Sequence, residues 1–96
     1  MPSAYIIANV KVNNPEQYEE YKRLSTIAMK VHGAEVCTRG GKVEVLEGDW
    51  APSRVVVLKF AGMEQARAFY NSAEYGAAIQ ARKDISTMRM VLIEGL

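Results

Sequence analysis

Three arginines stand where predicted elements end: Arg39, Arg54 and Arg82. A pair of guanidinium groups can clamp a carboxylate through parallel N–H donors. Glu47 and Trp50 join this set if the segment between the second and third strands folds back, and Trp50 would then stack on a ligand's apolar body. The competing use of these charges is structural, an ion pair of Arg39 or Arg54 with Glu47 that holds the loop. Five tyrosines, Tyr5, Tyr18, Tyr21, Tyr70 and Tyr75, outnumber the two phenylalanines. A tyrosine buries a large ring while its hydroxyl needs a partner. Tyr18, Tyr21, Tyr70 and Tyr75 fall on inner or border positions of helices. They suit the wall of a cleft between helices and sheet, or boundary packing with each hydroxyl in water. The expected walls of one pocket are Tyr21, Arg39, Glu47, Trp50, Arg54 and Tyr75.

His32 is the single histidine, and imidazole alone has an unperturbed pKa near neutrality, about 6.5. As a general base at a pocket mouth it would need an orienting acid. The sequence around it supplies none, so it is expected on an exposed helix end, where the macrodipole favours it. Cys37, the single cysteine, is expected as a small buried hydrophobe within a strand rather than a reactive thiol. Neither Cys-x-x-Cys nor His-x-x-x-His spacing occurs, and a structural zinc site needs about four soft ligands. Calcium-loop, phosphate-loop and Gly-x-Ser-x-Gly patterns are also missing. The expectation is no metal and no cofactor.

The elements that would carry these groups can be read from local pattern. Ala4 to Val12 is β-rich and stops at Asn13-Asn14-Pro15. Asn14 suits an N-cap, Pro15 the first helical position and Gln17 the capping-box position. The helix runs to about Val31, with Tyr18, Tyr21, Leu24, Ser25, Ala28 and Val31 inward at three-to-four spacing. Gly33 suits its C-terminal stop. Residues 34–47 alternate as a strand, interrupted by Gly40-Gly41, which is either a hairpin turn or a bulge. Arg54 to Phe60 is a strong strand with three consecutive valines. Met63 to Asn71 is helical, with Ala66, Phe69 and Tyr70 inward. Ser72 caps a second short helix from Ala73 to about Lys83, and Thr87 to Glu94 is the last strand.

The order β-α-β-β-α-β predicts an α+β, ferredoxin-like sandwich: a four-stranded antiparallel sheet with its helices on one face. One domain fills the chain. Ile6, Ala8, Val10 and Val12 share one face of the first strand, and Tyr5 and Ile7 the other. Met88, Met90 and Leu92 oppose Val91 and Ile93 in the last strand, and the three valines split in the same way. Both sheet faces are therefore apolar, and helices cover only one. Monomers rarely expose so large an apolar patch. A homodimer with its two sheets facing each other, burying well over about 1,000 Å², is the expected assembly.

Composition narrows the partners. With 96 residues, 49% hydrophobic and 24% charged, the chain is neither disordered nor of low complexity. Twelve basic and eleven acidic residues leave a formal charge of +1, so no excess field draws nucleic acid or an anionic membrane. No Lys/Arg-Gly-Phe/Tyr-Gly/Ala-Phe motif of an RNA-recognition module occurs. The apolar runs fall short of the roughly 20 residues of a membrane helix. Met1-Pro2-Ser3 opens no secretory signal, and one cysteine points to a reducing cytoplasm.

The run Arg39-Gly40-Gly41-Lys42-Val43-Glu44-Val45-Leu46-Glu47-Gly48-Asp49-Trp50 precedes Arg54 and the strand ending at Phe60. Ala66, Tyr70, Asn71-Ser72-Ala73-Glu74-Tyr75, Arg82 and Glu94-Gly95 come next. Over nearly its whole length this resembles the domain-of-unknown-function family numbered thirteen-thirty, of the dimeric α/β-barrel superfamily. Gly33-Ala34 stands where that pattern usually reads Gly-Gly, and Ala73 where proline is common. The resemblance implies a ferredoxin-like protomer, a homodimer with facing sheets and no settled activity. The leading expectation is a small organic ligand, carboxylate-bearing if the arginines clamp it, in a cleft between sheet and helices. The alternatives are a cofactor-independent isomerase or monooxygenase and a purely structural domain.

Overall fold

The computed structural model describes residues 2–96. Strand β1 spans Ala4–Val12, helix α1 Pro15–Val31, strand β2 Glu35–Arg39, strand β3 Val55–Phe60, helix α2 Met63–Tyr70, helix α3 Ala73–Arg82 and strand β4 Ser86–Glu94. The strands form one antiparallel sheet in the order β2-β3-β1-β4. This is the ferredoxin-like arrangement, with its second helix broken in two at Asn71-Ser72.

Alternation along β1 decides which face is covered. Ala4, Ile6, Ala8 and Val10 are buried beneath the helices, and register sets Ile6 beside both Leu58 and Leu92. Ala28 and Met29 of α1, Ala66 and Phe69 of α2, and Tyr75 and Ala78 of α3 close the core from above. The opposite face carries Ile7, Val57, Val91 and Ile93. Val91 is 59% and Ile93 52% exposed, so an apolar sheet face lies uncovered in the protomer.

Helix starts obey local chemistry. Asn14 Oδ1 accepts the N–H of Gln17 at 3.1 Å, and Pro15 opens α1. Ser72 Oγ accepts the N–H of Tyr75 at 3.1 Å and starts α3. Gly33 takes φ +69° just past α1, a conformation that glycine adopts without penalty.

Beyond β2 the structure departs from expectation. Strand pairing ends at Arg39, and Gly40, at φ +80°, makes a last bond from its N–H to the Val55 carbonyl at 3.2 Å. Residues 41–52 then leave the sheet as an irregular, largely exposed segment, and the chain rejoins β1 where Ser53 Oγ donates to the Val10 carbonyl and the Arg54 carbonyl accepts the Val10 N–H, both at 2.8 Å. Gly40-Gly41 is therefore neither a hairpin turn nor a strand bulge. The bulge lies at Val36/Thr38 instead. It leaves Cys37 exposed on an edge strand, which corrects the expectation of a buried thiol. Val31, expected inward, is 60% exposed, and the neighbouring Met29 fills the core in its place. Among the described residues no helix is long and apolar enough to cross a membrane.

Candidate functional site

Spacing along α1 lays Tyr18, Tyr21 and Ser25 on one stripe above the sheet, all buried. The Ser72 cap sets Tyr75 in the first turn of α3, 1% exposed and facing α1. The two hydroxyls of Tyr21 and Tyr75 meet at 2.7 Å, each the other's partner. Tyr18 packs on Tyr21 with ring centroids 5.0 Å apart, and Phe69 packs on Tyr75 at 4.7 Å. These rings roof a cavity whose floor is Ile6, Ala8, Val10, Val56, Leu58, Met88 and Met90. Its free volume, about 20 Å³, suits a single water. Met29, Met88 and Met90 line it, and unbranched thioether chains re-pack readily.

Two arginines, Arg39 and Arg54, line this cavity from the sheet side. Arg39, from the end of β2, donates through Nη1 to Thr26 Oγ1 at 2.8 Å. Its Nη2 donates to Ser25 Oγ at 3.0 Å and to the Lys22 carbonyl at 3.1 Å. It thus straps β2 to α1. Arg54, just before β3, lies over the Tyr18 ring, its guanidinium carbon 5.9 Å from the centroid. Arg82, from the last turn of α3, lies over the Tyr21 ring at 5.8 Å and stands outside the cavity's lining. No Asp or Glu lines the cavity. Burial pushes the Tyr18 hydroxyl above its ordinary pKa, with the Arg54 charge pulling the other way. Burial, aided by the Tyr75 hydroxyl, pushes Tyr21 up further. Both phenols stay protonated at physiological pH.

Of the six residues singled out from sequence, Tyr21, Arg39, Arg54 and Tyr75 line this one cavity. Glu47 and Trp50 do not reach it. Trp50 is 60% exposed, and both line a shallow hollow on the irregular segment with Val43, Val45 and Leu46. The segment does not fold back because β2 ends at Arg39 and, among the described residues, no strand pairs with residues 41–52. Neither Arg39 nor Arg54 forms an ion pair with Glu47; the ion pairs among the described residues join Lys22 to Glu19, Arg23 to Glu20 and His32 to Glu74. Tyr70 is 43% exposed and stands outside the cavity.

His32 is also not on the exposed helix end expected for it. It is half-buried, its Nε2 2.9 Å from Glu74 Oε1, with its ring edge-on to Phe69. The orienting acid comes from the start of α3, 42 residues along the chain, which local reading cannot supply. The pair does not line the cavity. Hydrogen bonding from His32 holds the Glu74 carboxyl below the usual carboxylate range.

Tyr18, Ser25 and Phe69 are cavity residues that the six-residue set omitted, together with the methionines. Tyr18 and Ser25 carried a usable signal, the inward stripe of α1. Met88 and Met90 carried one in the alternation of β4.

A family model described as a domain of unknown function, DUF1330, matches residues 3–96. No curated protein sequence matches the chain. Among solved structures, RPA0582, a protein of unknown function from Rhodopseudomonas palustris, superposes with a TM-score of 0.78 at 17% identity, over 99% of this chain and 83% of that one. SnoaB, a cofactor-independent oxygenase from Streptomyces nogalater, gives 0.66 at 13% identity, over 97% and 92%. A dimeric ferredoxin-like protein of unknown function from Thermobifida fusca gives 0.60 at 16% identity, over 97% and 91%. At these identities the likeness speaks for the fold.

Proposed function

Since the chain belongs to the DUF1330 family, which has no assigned function, its role must come from its own cavity, and we propose that it is a homodimeric protein binding a small organic ligand between sheet and helices. The observation that carries this reading is the cavity's composition. Tyr21, Tyr75, Arg39 and Arg54 converge there on an apolar floor, with no acid to neutralise the arginines. Apolar walls with a few convergent polar groups are what small-molecule sites are made of. The cavity is drawn in to about 20 Å³, so binding must part Met29, Met88 and Met90, side chains suited to yield.

Homodimerisation has separate support. Val57, Val91 and Ile93 face outward on the uncovered sheet face. The exposed Val43, Val45, Leu46 and Trp50 add to the apolar surface. Burying such area is worth about 25 cal/mol per Å². The single cysteine, Cys37, is free, which suits a reducing cytoplasm.

Binding is favoured over catalysis. A cofactor-independent isomerase or oxygenase of this fold would need a group ready to move a proton near neutrality. The tyrosines Tyr18 and Tyr21 are shifted the wrong way for a base, and His32 and Glu47 lie outside the cavity. The oxygenase chemistry of SnoaB belongs to that protein.

The test uses protein with ¹³C-labelled methionine methyls, titrated with two acid–amide pairs: benzoate with benzamide, and hexanoate with hexanamide. A cavity ligand moves the methyls of Met29, Met88 and Met90, which line it, and leaves Met63 in place. Shifts at Met63 alone, or none at any of these methyls, would overturn the reading.

A further inference from the structure

Three guanidinium groups crowd the tyrosine cluster, and no carboxylate answers them. The members of the ion pairs among the described residues do not line the cavity. The three arginines differ in how their donors are used. Arg39 spends both terminal nitrogens on α1. Arg54 and Arg82 differ from it. The Nε of each is closed off from solvent and has no hydrogen-bond partner. Beneath them lie the Tyr18 and Tyr21 rings, 5.0 Å apart. A ring face attracts a guanidinium charge but offers no acceptor in the plane of the Nε–H. Buried donors in folded proteins are almost always paired. Here the same atom of two arginines, set over adjacent tyrosine rings, lacks an acceptor, and both belong to charged groups.

We infer that the ligand is an organic monocarboxylate, held by the Nε–H sides of Arg54 and Arg82, with its apolar body among Met88, Met90 and Phe69. This rests on the reading of the cavity as a binding site and names the class of molecule it takes. The Nε–H and one Nη–H of a guanidinium point the same way and match the two oxygens of a carboxylate. An amide of the same shape offers one oxygen and turns its own N–H groups toward like donors. Arg82, outside the lining of the closed cavity, thereby becomes a ligand residue once the cavity opens. Arg39 becomes a strap that keeps β2 against α1. Gly40 is a positioning residue: a Cβ there would overlap the Arg54 guanidinium.

The same methionine-methyl titration decides the matter, read now as affinity. In the wild type, benzoate and hexanoate are expected to bind roughly tenfold or more tightly than benzamide and hexanamide. Arg54→Gln and Arg82→Gln are each expected to remove most of that preference by weakening the acids, with the amides unchanged. Gly40→Ala is expected to act in the same direction by displacing Arg54. If acids and amides bind the wild type equally, the carboxylate assignment fails while the cavity remains a binding site. If the preference is present and survives both glutamine variants, these two arginines are not its source and the assignment also fails. If no probe moves the cavity methyls, both readings fall. The wild-type acid–amide comparison stands even where a variant does not fold.

Discussion

The Tyr21–Tyr75 contact is where burial and hydrogen bonding can be weighed directly. Each hydroxyl is buried and answers the other at 2.7 Å. Tyr21→Phe leaves the Tyr75 hydroxyl without its partner, at an expected cost of about 1–3 kcal/mol. The double change to phenylalanine removes both polar groups and should cost no more than either single change, a coupling that denaturant melts of the four proteins would measure. The His32–Glu74 pair predicts a pH effect with a definite sign. Its hydrogen bond lowers the folded-state pKa of Glu74. The resulting stabilisation is complete above the unfolded carboxylate pKa, about 4.3, and is lost as pH falls through the lower folded value. Glu74→Gln should therefore fall below the wild type in thermal stability near neutrality and converge with it in acid. The convergence of Arg39 and Arg54 could be foreseen because they stand at element ends. Their division of labour could not, because the acceptors that occupy Arg39 lie on α1, 13 to 17 residues away.

Elements whose ends are set by local chemistry came out close to expectation. The Asn14 cap with Pro15 and the Ser72 cap both hold, because a cap needs only the next three residues. Ser72 also has a part in the site, since its helix brings Tyr75 to Tyr21 and Glu74 to His32. Ser72→Ala is expected to cost about 1 kcal/mol in a denaturant melt and to speed amide exchange in the first turn of α3. Where an element depends on a neighbour, pattern was not enough. Residues 42–46 alternate Lys, Val, Glu, Val and Leu like a strand, yet no strand of the protomer lies beside them, and they stay outside the sheet. Alternation reports a two-faced extended chain and says nothing about which edge will pair with it. The misplacement of Glu47 and Trp50 has the same origin, since their reach to the cavity required a fold-back that no pairing enforces.

For the whole molecule, two apolar surfaces need two explanations. One face of the sheet is covered by α1, α2 and α3 and encloses the cavity; the other is bare. Light scattering at micromolar concentration should give about 21 kDa, twice the chain's 10.7 kDa, and Val91→Lys with Ile93→Lys should halve that mass while leaving the cavity methyls in place. A stable wild-type monomer would contradict facing sheets. Both apolar faces were readable from strand alternation. The closeness of the cavity walls was not, because it depends on how the side chains of Met29, Met88 and Met90 fill a space that three separate elements define. The central claim concerns what that space is for. Its most direct measurement is a crystal structure of the protein grown with benzoate. The account predicts the ring against Met88 and Met90, the carboxylate on Arg54 and Arg82, and the three methionines moved apart. Benzoate bound instead at the exposed Trp50 segment, or a cavity still closed around a single water, would contradict it.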